Sequence, residues 1–334
     1  MRGSGRLALG ALCCALGLSG AWAQETMVTA TQIATFQQKA VGQSLGKLIW
    51  RGGISLASVN QDFGGLSSMG FVDDEGRLVF VSDRGNFVTG QLIYDEDNRP
   101  FNLVGVRMTP IENSSGAPLP RQFARDAEAL DVVVRDGVPS AIRVGFENLT
   151  RVADFELVNG VPQGPAREVS IPQWISDIRT NESIESLCIA PPASPVAGST
   201  LIILESVIDS AGNHSAYLLG RNDRGALSLS VNAGVNPTDC AFMPNGDLLV
   251  LERGVSLFAF VMKLRRIPAD QVKAGQVMSG EILLEAAGSD IDNMEAVAVH
   301  TAPDGELRIT IGSDNNFNSW ERNLLLEFSL PETL

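Results

Sequence analysis

A short sequence repeat occurs five times along the chain, and its spacing limits the folds that are open to it. The copies open at positions 67, 128, 185, 238 and 295, so successive copies start 61, 57, 53 and 57 residues apart. In every copy two strand-like runs flank a turn segment, which is the pattern of a β-hairpin. Three copies carry a carboxylate at both ends (Glu128–Glu147, Glu185–Glu205 and Glu295–Asp314), whereas Ser67–Asp83 and Thr238–Glu252 lack the first one.

Each interval between copies contains four strand-like runs and no convincing amphipathic helix. In the second unit these runs are Leu130–Val134, Ile142–Phe146, Arg151–Val158 and Arg167–Ile171. Four antiparallel strands per repeat are typical of a β-propeller blade, which buries its apolar faces by packing against neighbouring blades. The repeat therefore predicts an all-β propeller of five four-stranded antiparallel blades. A β-sandwich with chance spacing is the alternative.

The two ends of the chain are predicted to meet in one blade. The last unit supplies only three strands, of which the third is Leu324–Leu330. A strand at Leu48–Leu56 would complete this blade and close the ring. A sixth, degenerate blade would require more than one strand from the N-terminal stretch. Residues 24–44 are polar and weakly patterned, so we expect a flexible leader there and a single propeller domain over residues 45–334.

Residues 1–23 have the three parts of a secretory signal peptide. Arg2 and Arg6 form a basic start, residues 7–18 are apolar, and Ala21-Trp22-Ala23 fits the pattern of signal peptidase sites. The apolar run is too short to span a bilayer. We therefore expect a periplasmic or secreted protein that has no membrane association after cleavage.

The net charge limits the classes of partner, and the cysteines bear on whether the chain contains a disulfide. With 25 basic and 39 acidic residues, the formal net charge is −14, which disfavours nucleic acid and anionic membranes as partners. We expect a monomer that binds a small anionic ester, with its local field reversed by bound metal or placed arginines. Outside the signal peptide the chain has two cysteines, Cys188 and Cys240. They could pair, but their apolar runs favour buried free cysteines.

The carboxylates of the repeat are predicted to gather at one face of the propeller. In an antiparallel hairpin the start of the first strand lies beside the end of the second. Repetition of the blades around an axis brings equivalent ends to the same face. The first strands normally line the axial channel, so the carboxylates should surround its mouth. The predicted ring consists of nine candidate metal ligands: Asp83, Glu128, Glu147, Glu185, Glu205, Asp239, Glu252, Glu295 and Asp314.

Such a ring requires positive charge nearby, because ionised carboxylates in a low-dielectric mouth repel one another. Calcium is the predicted cofactor, since it takes several oxygen ligands in flexible geometry. Arg84 and Arg253 directly follow two ring residues, and they are candidate substrate-binding residues because guanidinium groups hold phosphate or carboxylate in a bidentate manner. In the alternative interpretation the acids are structural, and they accept backbone N–H bonds or pair with a neighbouring arginine.

Further segments occur in a fixed order along the chain: Gly64–Ser67, Ser82–Gly85, Arg125–Leu130, Glu182–Leu187, Pro237–Asp239, Leu251–Arg253, Asp292–Val297 and Ser313–Phe317. Together they resemble the phytase-like family of exported proteins, which is described by an esterase-like activity of phytase. The resemblance covers about residues 60–330. It implies a calcium-bearing propeller that hydrolyses phosphate esters, although the phrase DAxDDPAxW of established propeller phytases is absent.

These observations lead to one functional hypothesis and two alternatives. The hypothesis is an exported, calcium-dependent hydrolase that acts on a phosphate ester or a related ester. The first alternative is a periplasmic binding or scaffold propeller without turnover. The second is a propeller of the sugar-lactonase type, which uses one calcium ion at the axis. The sequence contains no motif that assigns a catalytic residue.

Overall fold

The structure, a computed structural model, describes residues 24–331 except residues 121, 182, 222 and 258. The predicted signal peptide lies outside the described residues. Within them, no helix is long and apolar enough to cross a membrane. Helical structure is confined to the short helices Gln122–Arg125 and Gln173–Ser176 and the 3-10 turn Ala269–Gln271.

Five antiparallel sheets form a ring, which confirms the prediction of a five-bladed propeller. Blade 1 consists of Leu66–Phe71, Arg77–Ser82, Asn86–Tyr94 and Pro100–Pro110, with Gln24–Glu25 added at its outer edge. Blade 2 consists of Ala127–Arg135, Val138–Phe146, Arg151–Val158 and Val161–Val169. Blade 3 consists of Ile184–Ile189, Thr200–Ile208, His214–Leu219 and Gly225–Leu229, with Val277–Met278 added in parallel.

The remaining two blades contain the end of the chain and the segment that closes the ring. Blade 4 consists of Asn236–Phe242, Leu248–Ser256, Ala259–Ile267 and Glu281–Ala287. Blade 5 consists of Asn293–Thr301, Leu307–Asp314, Asn323–Ser329 and Leu48–Ser58. In blade 5, Leu48–Ser58 pairs with Asn323–Ser329, so the predicted closure by an N-terminal strand is confirmed.

The prediction of a flexible leader over residues 24–44 is wrong. Val28–Ile33 pairs with Leu48–Ser58 as a fifth strand of blade 5, and two short pairings follow, Thr35–Phe36 with Lys39–Ala40 and Ser44–Leu45 with Leu48–Ile49. Phe36 is fully buried, with its ring centroid 5.2 Å from that of Trp50. The strand Val28–Ile33 was not predicted from this polar segment, because an outer strand of a blade has one face in water and needs only alternate apolar residues.

The core is divided between the blades. Five buried apolar clusters are found among the described residues, and each lies between two neighbouring blades. Between blades 4 and 5, for example, Leu251 and Leu264 belong to the same cluster as Trp50 and Leu326. The first strand of each blade contacts the first strands of both neighbours. These strands therefore surround the axis, and their side chains decide what the channel contains.

A disulfide joins Cys188 to Cys240, with 5.8 Å between their Cα atoms. The expectation of free cysteines was therefore wrong. The two residues stand on the first strands of blades 3 and 4, and these strands are neighbours around the axis. The equivalent places of the two cysteines in successive repeats were the sequence signal for this pairing.

Replacing both cysteines by serine is expected to lower the free energy of unfolding. The bond closes a loop of 52 residues, and loss of a cross-link of that length costs about 4 kcal/mol in the chain-entropy description. We expect the melting temperature to fall while the folded state persists at 25 °C. A reducing agent should lower the melting temperature of the wild type and leave the double variant unchanged. Equal melting temperatures of wild type and variant would contradict this role.

Candidate functional site

Every blade has a β-bulge in its first strand, at the position where the sequence repeat opens. The pairing with the second strand shifts there in all five sheets. The bulged residues are Ser67, Glu128, Glu185, Thr238 and Glu295. A bulge leaves one residue out of the ladder and re-aims its side chain. The repeat therefore places one such side chain per blade at the same end of the channel.

The three bulged glutamates share one open cavity of about 400 Å³ with carboxylates from the ends of the second strands. We call this cavity the acidic basin. Its lining residues are Asp83, Asp126, Glu128, Glu147, Asn181, Glu185, Glu205, Arg253, Asn293, Glu295, Asp314 and Asn316. Seven of the nine predicted ring residues are thus brought together, as hairpin geometry predicts. Asp126 raises the number of carboxylates in the lining to eight.

The closest group of carboxylates lies on the side of blade 2. Oxygen atoms of Asp126, Glu128 and Glu147 lie within 4.8 Å of one another. Their positions are held by neighbouring donors, since Asn148 Nδ2 donates to Asp126 Oδ2 and the backbone N–H of Ser183 donates to Glu147 Oε1. Three carboxylates at this separation present several oxygens to one point in space.

The electrostatics of the basin favour protons on carboxyl groups even near neutral pH. Burial raises the pKa of Glu147 to about 8, and repulsion from Asp126 and Glu205 adds to the shift. Burial also raises the pKa of Glu295 to about 8, with repulsion from Asp314 as the next cause. The charged forms are destabilised because water is removed and like charges are close.

The pKa values of other carboxyl groups in the basin are also raised. The pKa of Asp83 is raised to about 7 by burial and then by the charges of Asp314 and Asp126. Burial raises the pKa of Asp314 to about 6. Burial holds the pKa of Glu128 and of Glu185 well above the usual value, and the next cause is repulsion from Glu185 for Glu128 and from Glu147 for Glu185. The basin thus has an excess of negative charge that a cation would neutralise.

Among the residues that the structure describes, Arg253 is the only basic one in the lining of the basin. Its Nη1 donates to Asn293 Oδ1, and its Nη2 lies 3.5 Å from Glu295 Oε1. Its Nε is buried and has no hydrogen-bond partner among the described residues. One guanidinium cannot balance eight carboxylates, but it is placed to meet an anion that enters the basin.

Comparison with known proteins assigns the family. The profile of the phytase-like family, described as esterase-like activity of phytase, matches residues 61–317. The chain belongs to the phytase-like family. A search of curated proteins finds no significant match. A glucose dehydrogenase is among the solved structures that are similar to this chain, with a TM-score of 0.43 and 12% identity over 78% of this chain and 96% of that chain.

The basin of this phytase-like propeller has the donor chemistry of a hard-cation site. Carboxylates, and asparagines that can offer a carbonyl oxygen, supply its polar lining, and no histidine or cysteine of the described part of the chain contributes. Oxygen ligands of this kind suit calcium, whereas zinc and copper prefer nitrogen and sulfur. Asp126, Glu128 and Glu147 are the residues that would hold such an ion. The residues present therefore fit a calcium ion.

Two predicted ring residues lie outside the basin. Glu252 is fully buried and pairs with Arg265, which lies on the next strand two positions from the residue directly opposite, while its second oxygen accepts a hydrogen bond from Asn232 Nδ2. Asp239 accepts the backbone N–H of Val297 at 2.8 Å and the hydroxyl of Ser68 at 3.1 Å. The structure therefore does not bring these two residues to the other predicted ligands, and their contacts are those of the structural interpretation.

Asp239 lies one position after the bulge of its strand. Thr238 occupies the bulge in blade 4, and adjacent residues of a strand point to opposite sides. Glu252 differs for another reason. Glu252 is paired on both sides, with Pro237 and with Lys263, and its carboxylate reaches Arg265 instead of the channel.

Arg84 also differs from its prediction. Its guanidinium carbon lies 3.3 Å from the ring centroid of Phe317, and its Nη1 donates to the backbone oxygen of Gln61 at 3.1 Å. This cation–π contact turns the side chain towards the rim, and Arg84 does not line the basin. Of the two candidate substrate-binding arginines, the structure brings only Arg253 to the carboxylates.

The predicted site did not include the lining residues Asp126 and Asn181. Asp126 lies two positions before Glu128, and residues two apart share a face of a strand, so this spacing was an available signal. Asn181 lies in the loop before blade 3 and has no repeat equivalent that would have marked it. Gly65 supports the opposite wall, because its φ is +61° and a Cβ atom there would lie 2.2 Å from Asp83 Oδ1.

Proposed function

We propose that this phytase-like propeller is an exported, calcium-dependent hydrolase of phosphate esters or related esters, with its active site in the acidic basin. The observation that carries the proposal is the convergence of eight carboxylates and one arginine on a single cavity. A site with this charge is unfavourable unless cations complete it. Family membership supports an ester substrate.

Different residues of the basin would have different roles in the reaction. Asp126, Glu128 and Glu147 would hold the cation, which supplies Lewis-acid polarisation of the substrate oxygen and a lower pKa of bound water. Arg253 would bind the anionic group of the substrate, since it places a guanidinium in the lining of the basin. Asp83, with a pKa raised to about 7, is suited to accept or donate a proton near neutral pH.

A substrate panel tests this proposal. We expect the purified protein to release p-nitrophenol from p-nitrophenyl phosphate or p-nitrophenyl acetate in the presence of calcium, and to stop when the ion is chelated. Glu75→Gln is the matched control, because Glu75 is exposed in a hairpin turn at the opposite face. No turnover of either ester would contradict the proposal and favour a binding or scaffold propeller. Turnover of lactones alone would favour the lactonase-type alternative.

Arg253→Gln is expected to raise KM for p-nitrophenyl phosphate by about tenfold, because a buried guanidinium–phosphate interaction is lost. Arg84→Gln should leave KM within about twofold of wild type, since Arg84 contacts Phe317 and not the basin. Steady-state kinetics on both variants compare the two arginines directly. A larger effect at Arg84 than at Arg253 would contradict the position of the substrate anion.

Export and a monomeric state belong to the same proposal. The Cys188–Cys240 disulfide supports export, because disulfides persist in oxidising compartments. We expect the mature protein to begin at Gln24 and to be recovered from the periplasm or the medium. N-terminal sequencing of the recovered protein and its mass in solution would check both statements. An uncleaved, cell-internal protein would contradict export.

A further inference from the structure

The opposite mouth of the channel holds a second cavity, of about 610 Å³. All five first strands contribute to its wall. Their side chains there are mainly apolar, and examples are Phe71, Leu130, Ile189, Phe242 and Val299. Its outer edge reaches the hairpin turns at this face, where Asp136 is exposed. We call it the apolar axial cavity.

A polar layer separates this cavity from the acidic basin. The hydroxyl of Ser68 donates to Asp239 Oδ2 at 3.1 Å, and the backbone N–H of Leu130 donates to Ser68 Oγ at 3.1 Å. Ser68 stands on blade 1 and Asp239 on blade 4, and these blades are not neighbours, so their bond crosses the channel. Ser68 is 0% exposed and Asp239 is 1% exposed. The channel is closed there, and the two cavities are separate.

The size and lining of the apolar axial cavity are those of a small-molecule site. Ligand pockets typically measure about 300–1,000 Å³ and combine apolar walls with a few polar groups. Phe71, Val132 and Val299 remain partly exposed in this cavity. Each of the three packs with one side against a cluster between blades and leaves its remaining apolar surface to the cavity. Apolar surface left in a concavity marks a binding site more often than an accident of folding.

Charge restricts the ligand. The lining contains the carboxyl groups of Asp131 and Asp136, and no lysine, arginine or histidine is found in it within the described ranges of the chain. Asp131 is held in the wall, where its oxygens accept the backbone N–H groups of Val132 and Ile189, each at 2.6 Å. A carboxylate or phosphate in this cavity would meet repulsion and no counter-charge. The cavity therefore excludes anions, unlike the basin at the other mouth.

We propose that the apolar axial cavity binds a neutral or cationic apolar small molecule, independently of the acidic basin. Its walls would contact the apolar body of the ligand. The carboxyls of Asp131 and Asp136 would lie near any positive charge. This site does not depend on the proposed hydrolase activity, because the Ser68–Asp239 layer closes the channel between the two cavities.

Dye binding tests the proposal. The neutral dye N-phenyl-1-naphthylamine should bind with a saturable rise in fluorescence, and the anionic dye 1-anilinonaphthalene-8-sulfonate should bind at least about tenfold more weakly. Chelation of calcium should change the affinity for the neutral dye by less than about twofold. Absence of saturable binding, a preference for the anionic dye, or a tenfold loss on chelation would overturn the proposal.

Two substitutions locate the dye within the propeller. Val132→Trp and Val299→Trp, on blades 2 and 5, fill the cavity from different sides and should each weaken binding by about tenfold. Val158→Trp is the matched control, because Val158 is exposed at the same face and does not line the cavity. Melting temperatures establish that each variant folds. Unchanged dye affinity in either folded cavity variant would overturn the assignment, even if the other variant fails to fold.

Discussion

Glu128→Gln is expected to lower kcat/KM for the proposed calcium-dependent ester hydrolysis by roughly 100-fold, which corresponds to about 3 kcal/mol of transition-state stabilisation. Glu128 is a member of the closest carboxylate group, and it faces Asp126, Glu147, Glu185 and Glu295. Glutamine keeps the shape of the side chain and removes one anionic oxygen ligand. The main loss should therefore be in cation affinity, and a higher calcium concentration should recover part of the activity.

The same variant has a second readout that separates a functional role from a structural one. In chelator, Glu128→Gln should melt at or above the wild-type temperature, because it removes a source of repulsion from the basin. A purely structural acid would show the reverse, with a clear loss of stability. Glu75→Gln should match the wild type in kcat/KM and in melting temperature. Full activity of Glu128→Gln at low calcium would contradict the assigned ligand group.

Lowering the pH from 8 to 6 is expected to stabilise the calcium-free protein. Glu147 and Glu295 have folded-state pKa values of about 8, above their ordinary value near 4.5. Between these values the folded protein binds protons that the unfolded chain has released, so the free energy of unfolding falls as pH rises. The stabilisation is fully present below about pH 4.5 and is lost as pH rises through about 8.

The expected change in the free energy of unfolding is large for a contribution from two side chains. From pH 8 to pH 6 each group contributes about 2 kcal/mol, so the pair should raise the melting temperature by roughly 5–10 °C. Saturating calcium should remove most of the dependence, because the ion replaces the protons. Thermal melts in chelator and in calcium across this pH range provide the measurement. A melting temperature that rises with pH in chelator would contradict the raised pKa values.

The number of blades was predictable because the repeat is a physical unit. Four strands in a row bury their faces only against a copy of themselves, so five evenly spaced copies determine five blades. The closing strand was predictable for a related reason, since the last unit lacks one strand. The outer strand Val28–Ile33 was not, because a half-solvated edge strand carries too few apolar residues to stand out from a linker.

The basin was predictable to the extent that it depends on hairpin ends. Residues at the bulge and at the end of the second strand reach the mouth, and Glu185 and Asp314 are examples. Glu252 does not reach the basin, because its neighbour Arg265 neutralises it within the sheet. Asp239 does not reach the basin, because it lies one position past the bulge. The offset of Asp239 from the repeat position was visible in the sequence, whereas the ion pair of Glu252 depends on a partner in the next strand, which spacing along the sequence does not encode.

The two arginines likewise have positions that the sequence repeat did not predict. Arg84 and Arg253 both follow a second-strand carboxylate of the repeat, yet Phe317 holds the first at the rim and Asn293 holds the second inside the basin. Equivalent repeat positions can therefore have unequal roles. Loops from other blades decide which copy reaches the site.

Calorimetric titration of calcium into the chelated protein tests the central claim most directly. We predict saturable binding at pH 7.5 that is lost in the Glu128→Gln/Glu295→Gln double variant and kept in Glu75→Gln. Saturation at about 100 times the dissociation constant should raise the free energy of unfolding by about 2.7 kcal/mol. An absence of calcium binding by the wild type, together with a melting temperature that calcium does not change, would contradict a cation site in the acidic basin.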